Sequence, residues 1–265
     1  MRFCKGHGTE NDFIVLPDYE GELDAPLVRA LCDRHAGIGA DGVLRVVPRD
    51  AHYFMDYYNA DGSTAEICGN GIRVFARYLV AAELCPPGEM YIDTRSGARR
   101  VIVPADGGDI TVDMGPPSRL DDAEVCIGTS SWKAVGWSMA NPHLVVLDAA
   151  PIDALDLSFP PVVDPAAAYP DGVNIELVEP VGSGHLRMRV HERGVGETRS
   201  CGSGVCAAAI AVMDAVGERS TYIVDVPGGR LAVTWREDGD VHLIGPAVLV
   251  AAGEVDPSVI HSYRH

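Results

Sequence analysis

The chain has 265 residues, 47% of them hydrophobic, and carries 38 Asp and Glu against 21 Lys and Arg, a formal net charge of −17. That composition supports a packed globular core and excludes wholesale disorder, and its acidity excludes a broad phosphate-binding face for nucleic acid. No run approaches the length of a membrane span, and the opening "MRFCKGHGTEND" turns polar at once, so neither a membrane partner nor a signal peptide is expected.

In chain order, "DFIVL" (12–16) reads as a strand and "LVRALCDRHA" (27–36) as a helix. "GIGADG" (37–42) matches a dinucleotide-binding GxGxxG pattern, but it follows a helix and precedes a strand, the reverse of the required order, and is read as a turn. "VLRVV" (43–47) and "HYFMDYYNA" (52–60) are further strands. "CGNG" (68–71) then opens a long apolar helix, "GIRVFARYLVAAEL", and "MYIDTR", "ARRVIVP" and "DITVDMG" follow as strands.

The pattern then repeats. Asn11 recurs as Asn141, "DGV" 41–43 as 171–173, Met55 as Met188, Asn59 as Glu192, Cys68 as Cys201, "YI" 91–92 as 222–223, "GAR" 97–99 as "GGR" 228–230, and "GP" 115–116 as 245–246. Each match is trivial alone. In order, at offsets of 130 to 133 residues, they read as two homologous halves. The second half again runs strand ("HLVVLD", "NIELV", "LRMRVHE"), "CGSG" (201–204), apolar helix ("GVCAAAIAVMDAVG") and strands ("STYIVDVP", "RLAVTW", "DVHLIG"). The expected fold is α+β: two pseudo-symmetric domains, 1–118 and 119–265, each a strand-rich layer wrapped round a central helix, with the last residues packing back on the first half.

Seven cysteines stand at 4, 32, 68, 85, 126, 201 and 206, without disulfide-framework spacing, which fits a reducing cytoplasm. No paired CxxC or HExxH supports a metal, and the few lysines lack a pyridoxal phosphate context. Five of the cysteines read as packing residues. Cys68 and Cys201 differ, because each stands at a helix start between glycines, at matching points of a repeat. A helix N-terminus is expected to lower a thiol pKa, and its bare N–H groups can hold a carboxylate. Two such thiols suit inversion of an amino-acid α-carbon, where one group takes a proton from one face and the other returns one to the opposite face. A cysteine hydrolase built on Cys201 with a histidine base is the rival reading, but it leaves Cys68 idle. A non-catalytic binding module leaves both idle.

The stretches "GHGTENDF", "RHAGIGADGV", "NADGSTAEICGNGIRVFARYL", "ANPH", "DGVNIELV" and "HERGVGETRSCGSG" together resemble the diaminopimelate epimerase family over nearly the whole chain. The resemblance implies a cofactor-independent epimerase and a homodimer. It implies Cys68 and Cys201 as the acid/base pair, by convention donor and acceptor. The α-carboxylate would be held by the backbone of Gly69, Asn70, Gly202 and Ser203. Asn11, Asn59, Asn141, Asn174 and Arg193 would line the substrate site, Glu192 would meet the ammonium, and Glu192 with His143 would tune the thiols. A racemase of the same fold acting on another amino acid, such as histidine, stays open on residues alone. Gly42 stands where many relatives carry glutamine, so no side-chain contact is inherited there.

Overall fold

The computed structural model describes residues 1–64, 68–149 and 151–256. Its chain divides into two compact units: Met1–Val112 with the described residues from Gly245, and Asp113–Ile244. Among the described residues no helix is long and apolar enough to cross a membrane.

The first unit opens with β1 (Arg2–Gly8) and β2 (Asn11–Leu16), an antiparallel hairpin joined by Thr9 and Glu10. Both turn residues have positive φ, 48° and 61°, as the tight two-residue turn that matches strand twist demands. Helix α1 (Ala25–Cys32) is started by Asp24, whose carboxylate accepts the Leu27 N–H at 3.0 Å, and it crosses to β3 (Gly42–Pro48), parallel to β2. β4 (Tyr53–Asn59) returns antiparallel, and α2 (Gly69–Ala81) crosses to β5 (Gly88–Thr94), parallel to β4. β6 (Gly97–Val103) and β7 (Ile110–Asp113) complete a meander. "GIGADG" contributes neither helix nor strand before β3.

The second unit repeats this course. β8 (Ser118–Arg119) and β9 (Ala123–Ile127) precede β10 (Ser130–Ser138), which pairs antiparallel with β11 (Pro142–Val146). A long connection carrying β12 (Val162–Asp164) leads to β13 (Asn174–Gly182), parallel to β11. β14 (His185–Glu192) is antiparallel to β13 and carries β15 (Gly196–Thr198) on its end. α3 (Gly202–Val216) crosses to β16 (Thr221–Val226), parallel to β14, and β17 (Gly229–Trp235) and β18 (Val241–Gly245) complete the meander. β19 (Val248–Glu254) then pairs antiparallel with β1, beside β2, which puts the chain end in the first unit's sheet.

The order antiparallel, parallel, antiparallel, parallel, antiparallel, antiparallel is thus the same in both units. The fold is α+β with a central helix in each unit. The ladders also adjust the repeat. Phe13 faces Gly42 and His143 faces Asn174, so Gly42 and Asn174 are equivalent, two residues out of step with the "DGV" match. A Cβ on Gly42 would lie 2.6 Å from the Tyr58 carbonyl, so the first unit has no room there for a counterpart of the Asn174 side chain.

Both central helices bury most of their length. α3 is buried from Gly202 through Met213 apart from Ser203 and Val212, and its last residues, Asp214–Val216, are exposed. α2 is amphipathic, burying Ile72, Val74, Phe75, Ala76 and Leu79 against β1, β2, β6 and β19. It stops at Ala81, short of the apolar run that predicts it. The junction between the two sequence halves contains β8 and β9, and β9 pairs with β10 and β12.

α3 ends on Gly217 in the left-handed region (φ 72°, ψ 28°), where an added Cβ would touch nothing within 4 Å. Gly217→Ala therefore carries a purely conformational cost, expected at about 1 kcal/mol, and Gly217→Asn about half that. Urea unfolding should show lowered midpoints at unchanged slope, and an unshifted Ala midpoint contradicts this account of the helix end.

Candidate active site

In the first unit the candidate site is the start of α2. Cys68 is its N-cap, in extended backbone (φ −137°, ψ 115°), and its sulfur accepts the Gly71 N–H at 3.3 Å. The half-buried thiol points to Asn11 Oδ1 at 3.7 Å. That oxygen also accepts the Asn70 side-chain amide at 3.2 Å, while Asn11 Nδ2 donates to Asp41 at 2.8 Å. The Asn11 amide is thereby oriented with its oxygen on the thiol. Asn70 is held in turn by Arg73, a fully buried guanidinium that also donates to the carbonyls of Gly69 (2.9 Å) and Pro246 (3.2 Å). Asn59 accepts from the Tyr57 hydroxyl at 2.6 Å and donates to Ser63 at 3.0 Å.

In the second unit α3 starts at Cys201 with nearly the same backbone (φ −122°, ψ 114°). The surroundings differ. Cys201 is 7% exposed, and its sulfur is 3.6 Å from the Ser203 hydroxyl. Burial, then the negative charges of Glu192 and Glu176, push the thiol well above its ordinary pKa. This corrects the expectation of a lowered value. A helix N-terminus stabilises an anion by about 0.3–1 kcal/mol, or about 2 kcal/mol when partly buried. Full burial of an ionisable group works against it by about 4–7 kcal/mol. At rest Cys201 therefore holds its proton. Burial likewise raises the Glu192 carboxyl, against the opposing hydrogen bond from Thr198.

Behind the thiol lies a fully buried pair that the sequence reading found only in half. His143 Nδ1 is 2.7 Å from Glu176 Oε1, and His143 Nε2 is 3.0 Å from Asn141 Oδ1. Glu176 was missed, although one charged residue inside the apolar strand "NIELV" is itself a signal. The third residue of the helix start explains how it fits. A Cβ on Gly204 would come within 2.5 Å of Glu176 Oε1 and 3.3 Å of the Cys201 sulfur, so glycine is what lets carboxylate and thiol flank the first turn.

Asn174 is buried, with its amide on backbone: Nδ2 donates to the Pro142 carbonyl and Oδ1 accepts the Arg193 N–H, each at 3.0 Å. It clamps the Arg193 turn onto the Asn141–Pro142 segment. Arg193 itself is exposed. It makes a 3.4 Å contact to the Asp171 carbonyl, and no carboxylate pairs with it among the described residues. A 660 Å³ groove beside Tyr169, Gly172 and His191 meets this set only at Arg193. Among the described residues no group of three or more His, Cys, Asp or Glu could hold a metal ion.

Comparison with known proteins follows this geometry. The diaminopimelate epimerase family model matches residues 3–120 and 136–250. The chain is 51% identical to the diaminopimelate epimerase of Streptomyces coelicolor, over 97% of this chain and 96% of that protein. It is 49% identical to that of Thermobifida fusca, over 98% and 100%. Among solved structures, a predicted epimerase from Pseudomonas aeruginosa shares the fold, with TM-score 0.72 at 16% identity over 96% of this chain and 98% of that one.

Removing a negative charge beside a thiol lowers its pKa. Thiolate absorbance attributable to Cys201, taken as the difference from Cys201→Ala, should rise only at pH above the ordinary thiol range. Glu192→Gln should move that rise to lower pH, and an unmoved or upward-shifted curve contradicts the assignment of Glu192 as a source of the raised pKa.

Proposed function

This chain belongs to the diaminopimelate epimerase family and is an amino-acid epimerase, and from that premise we propose that it interconverts LL- and meso-2,6-diaminopimelate without a cofactor, with Cys68 and Cys201 as acid and base. One observation carries the reading: each unit starts its central helix at a CGxG cysteine held in the same extended N-cap conformation.

A thiolate takes the α-proton and the second thiol returns a proton to the opposite face, so the enzyme ends with the proton on the first sulfur and the negative charge on the second. The N–H groups that a helix start leaves outside its own ladder, at Gly69–Asn70 or Gly202–Ser203, are suited to the α-carboxylate and to the charge that develops beside it. The resting proton on Cys201 makes it the donor in the direction that begins with Cys68 as base. The opposite direction begins once the proton has passed to Cys68, which is then donor, with Cys201 as acceptor. Arg193 offers a two-pronged donor to a carboxylate. The same reading places the activity in lysine and peptidoglycan-precursor synthesis, in the cytoplasm, with an amino acid as partner and a homodimer as the working species.

Purified protein, without added cofactor or metal, should turn over LL-diaminopimelate and exchange its α-hydrogen with solvent deuterium, followed by NMR. Histidine should not be racemised. Cys68→Ala and Cys201→Ala should each lose epimerisation by about 10³-fold or more. Full epimerisation by either variant sinks the two-thiol mechanism.

A further inference from the structure

Among the site residues that the sequence suggests, Glu192 is the one carboxylate, and its place in the fold is occupied in the first unit by a neutral residue. Gly42 and Asn174 are equivalent, Val43 faces Tyr58 and Ile175 faces His191, so Asn59 and Glu192 are the matching ends of β4 and β14. Asn59 is an amide with both ends spent: Oδ1 accepts the Tyr57 hydroxyl at 2.6 Å and Nδ2 donates to the Ser63 hydroxyl at 3.0 Å. Glu192 is partly buried, and no lysine or arginine pairs with it among the described residues. Its Oε1 accepts the Thr198 hydroxyl. The titratable groups that face it are Cys201 at the start of α3, Glu176 on β13 and His143 on β11. Burial and the Glu176 charge favour the protonated form of this carboxyl, and the Thr198 bond favours the charged form.

The backbone fixes where the Thr198 hydroxyl stands. β15 is three residues long and is folded back on β14, with Val190 facing Thr198 and Glu192 facing Gly196. From Thr198 the chain runs directly to the helix start, and it is pinned on the way. The Arg199 carbonyl accepts the Gly228 N–H at 2.9 Å, and the Arg199 guanidinium donates to the Pro227 carbonyl at 2.9 Å. The hydroxyl is therefore held from both sides, by β14 and by the turn between β16 and β17. The first unit makes the same return in miniature, with Thr64 bridged antiparallel to Tyr58 beside Ser63. A hydroxyl accepts as readily as it donates. In the first unit it takes a hydrogen from a neutral amide, and in the second it supplies one to a carboxylate.

We propose that Thr198 is a positioning residue, whose hydroxyl keeps the Glu192 carboxylate charged and in place beside the start of α3, so that an anion faces the substrate's ammonium at neutral pH. The proposal rests on the epimerase reading above and adds to it a residue that acts through Glu192.

Thr198→Val keeps the β-branched shape of a strand residue and deletes the donor, whereas Thr198→Ser keeps the donor. With LL-diaminopimelate, kcat/KM of the Val variant, taken as a ratio to the parent enzyme at each pH, should fall about tenfold or more at about pH 6. It should recover to within about threefold at about pH 9, because a carboxyl that has lost its donor holds its proton to higher pH. The Ser variant should stay within about threefold of the parent at both. A loss of the same size at every pH marks a merely structural role and overturns the proposal, as does an equal loss in the Ser variant. A readout that needs no substrate separates this from failure of the epimerase reading. In the full chain labelled with ¹³C at the glutamate carboxyls, the resonance that Glu192→Gln removes should titrate about one pH unit higher in Thr198→Val, a tenfold gain in proton affinity, and should stay in place in Thr198→Ser. An unmoved or lowered titration in Thr198→Val overturns the proposal whether or not turnover is seen.

Discussion

A helix that begins inside a protein must find partners for N–H groups that its own ladder leaves open, and that constraint organises both units of this chain. Each unit wraps its strands round one apolar helix and brings the helix start to a cysteine in extended backbone. At α2 the open groups are met partly by the Cys68 sulfur on Gly71 N–H, and the turn is stiffened from beneath by Arg73 on the Gly69 carbonyl and the Asn70 side chain. A helix start is positively polarised, which suits a carboxylate ligand.

The same architecture is wired differently in the two units. Phe13 and Leu44 back the first helix start, and His143 and Glu176 back the second. Placing a polar pair where the other unit has an apolar one changes the surroundings of the thiol in front of it. Cys201 is buried with two carboxylates nearby and keeps its proton, while Cys68 is half-buried against the Asn11 amide, so two equivalent positions have unlike surroundings. Under the proposed two-thiol mechanism, which needs a base and an acid at once, unlike surroundings are useful. A pair of identical thiols would have to be separated by the substrate itself.

Much of the supporting chemistry is a matter of polar satisfaction. Asn174 fits the pattern of a ligand-binding asparagine, yet its amide is spent on the Pro142 carbonyl and the Arg193 N–H, where it fixes the distance between two segments that carry other candidates. Asn70 likewise holds Asn11, and Asn11 holds Asp41. The asparagines form a scaffold of oriented amides in which one hydrogen-bonding end after another is assigned, so that few are left to face a ligand.

The sequence alone determined many of the strands, though not β1, β8–β10, β12, β15 or β19, together with the two central helices and the cysteines that start them, because strand and helix periods and glycine-flanked helix starts are local signals, and a repeat doubles each of them. It also identified Asn11, Asn141, His143 and Glu192 as a polar set worth placing. Tertiary structure alone decided the rest. The sequence puts the last residues on the first half, but it does not announce the ladder by which β19 pairs with β1, joining residues some 250 positions apart. The equivalence of Gly42 with Asn174 follows from ladder register and not from the matching "DGV" triplets. Glu176 meets His143 because β13 runs parallel to β11 across a crossover of some thirty residues. The sign of the Cys201 shift was decided in the same way. The helix dipole is written in the local sequence, but the larger effect is burial beside two carboxylates, and burial is a property of the packed chain.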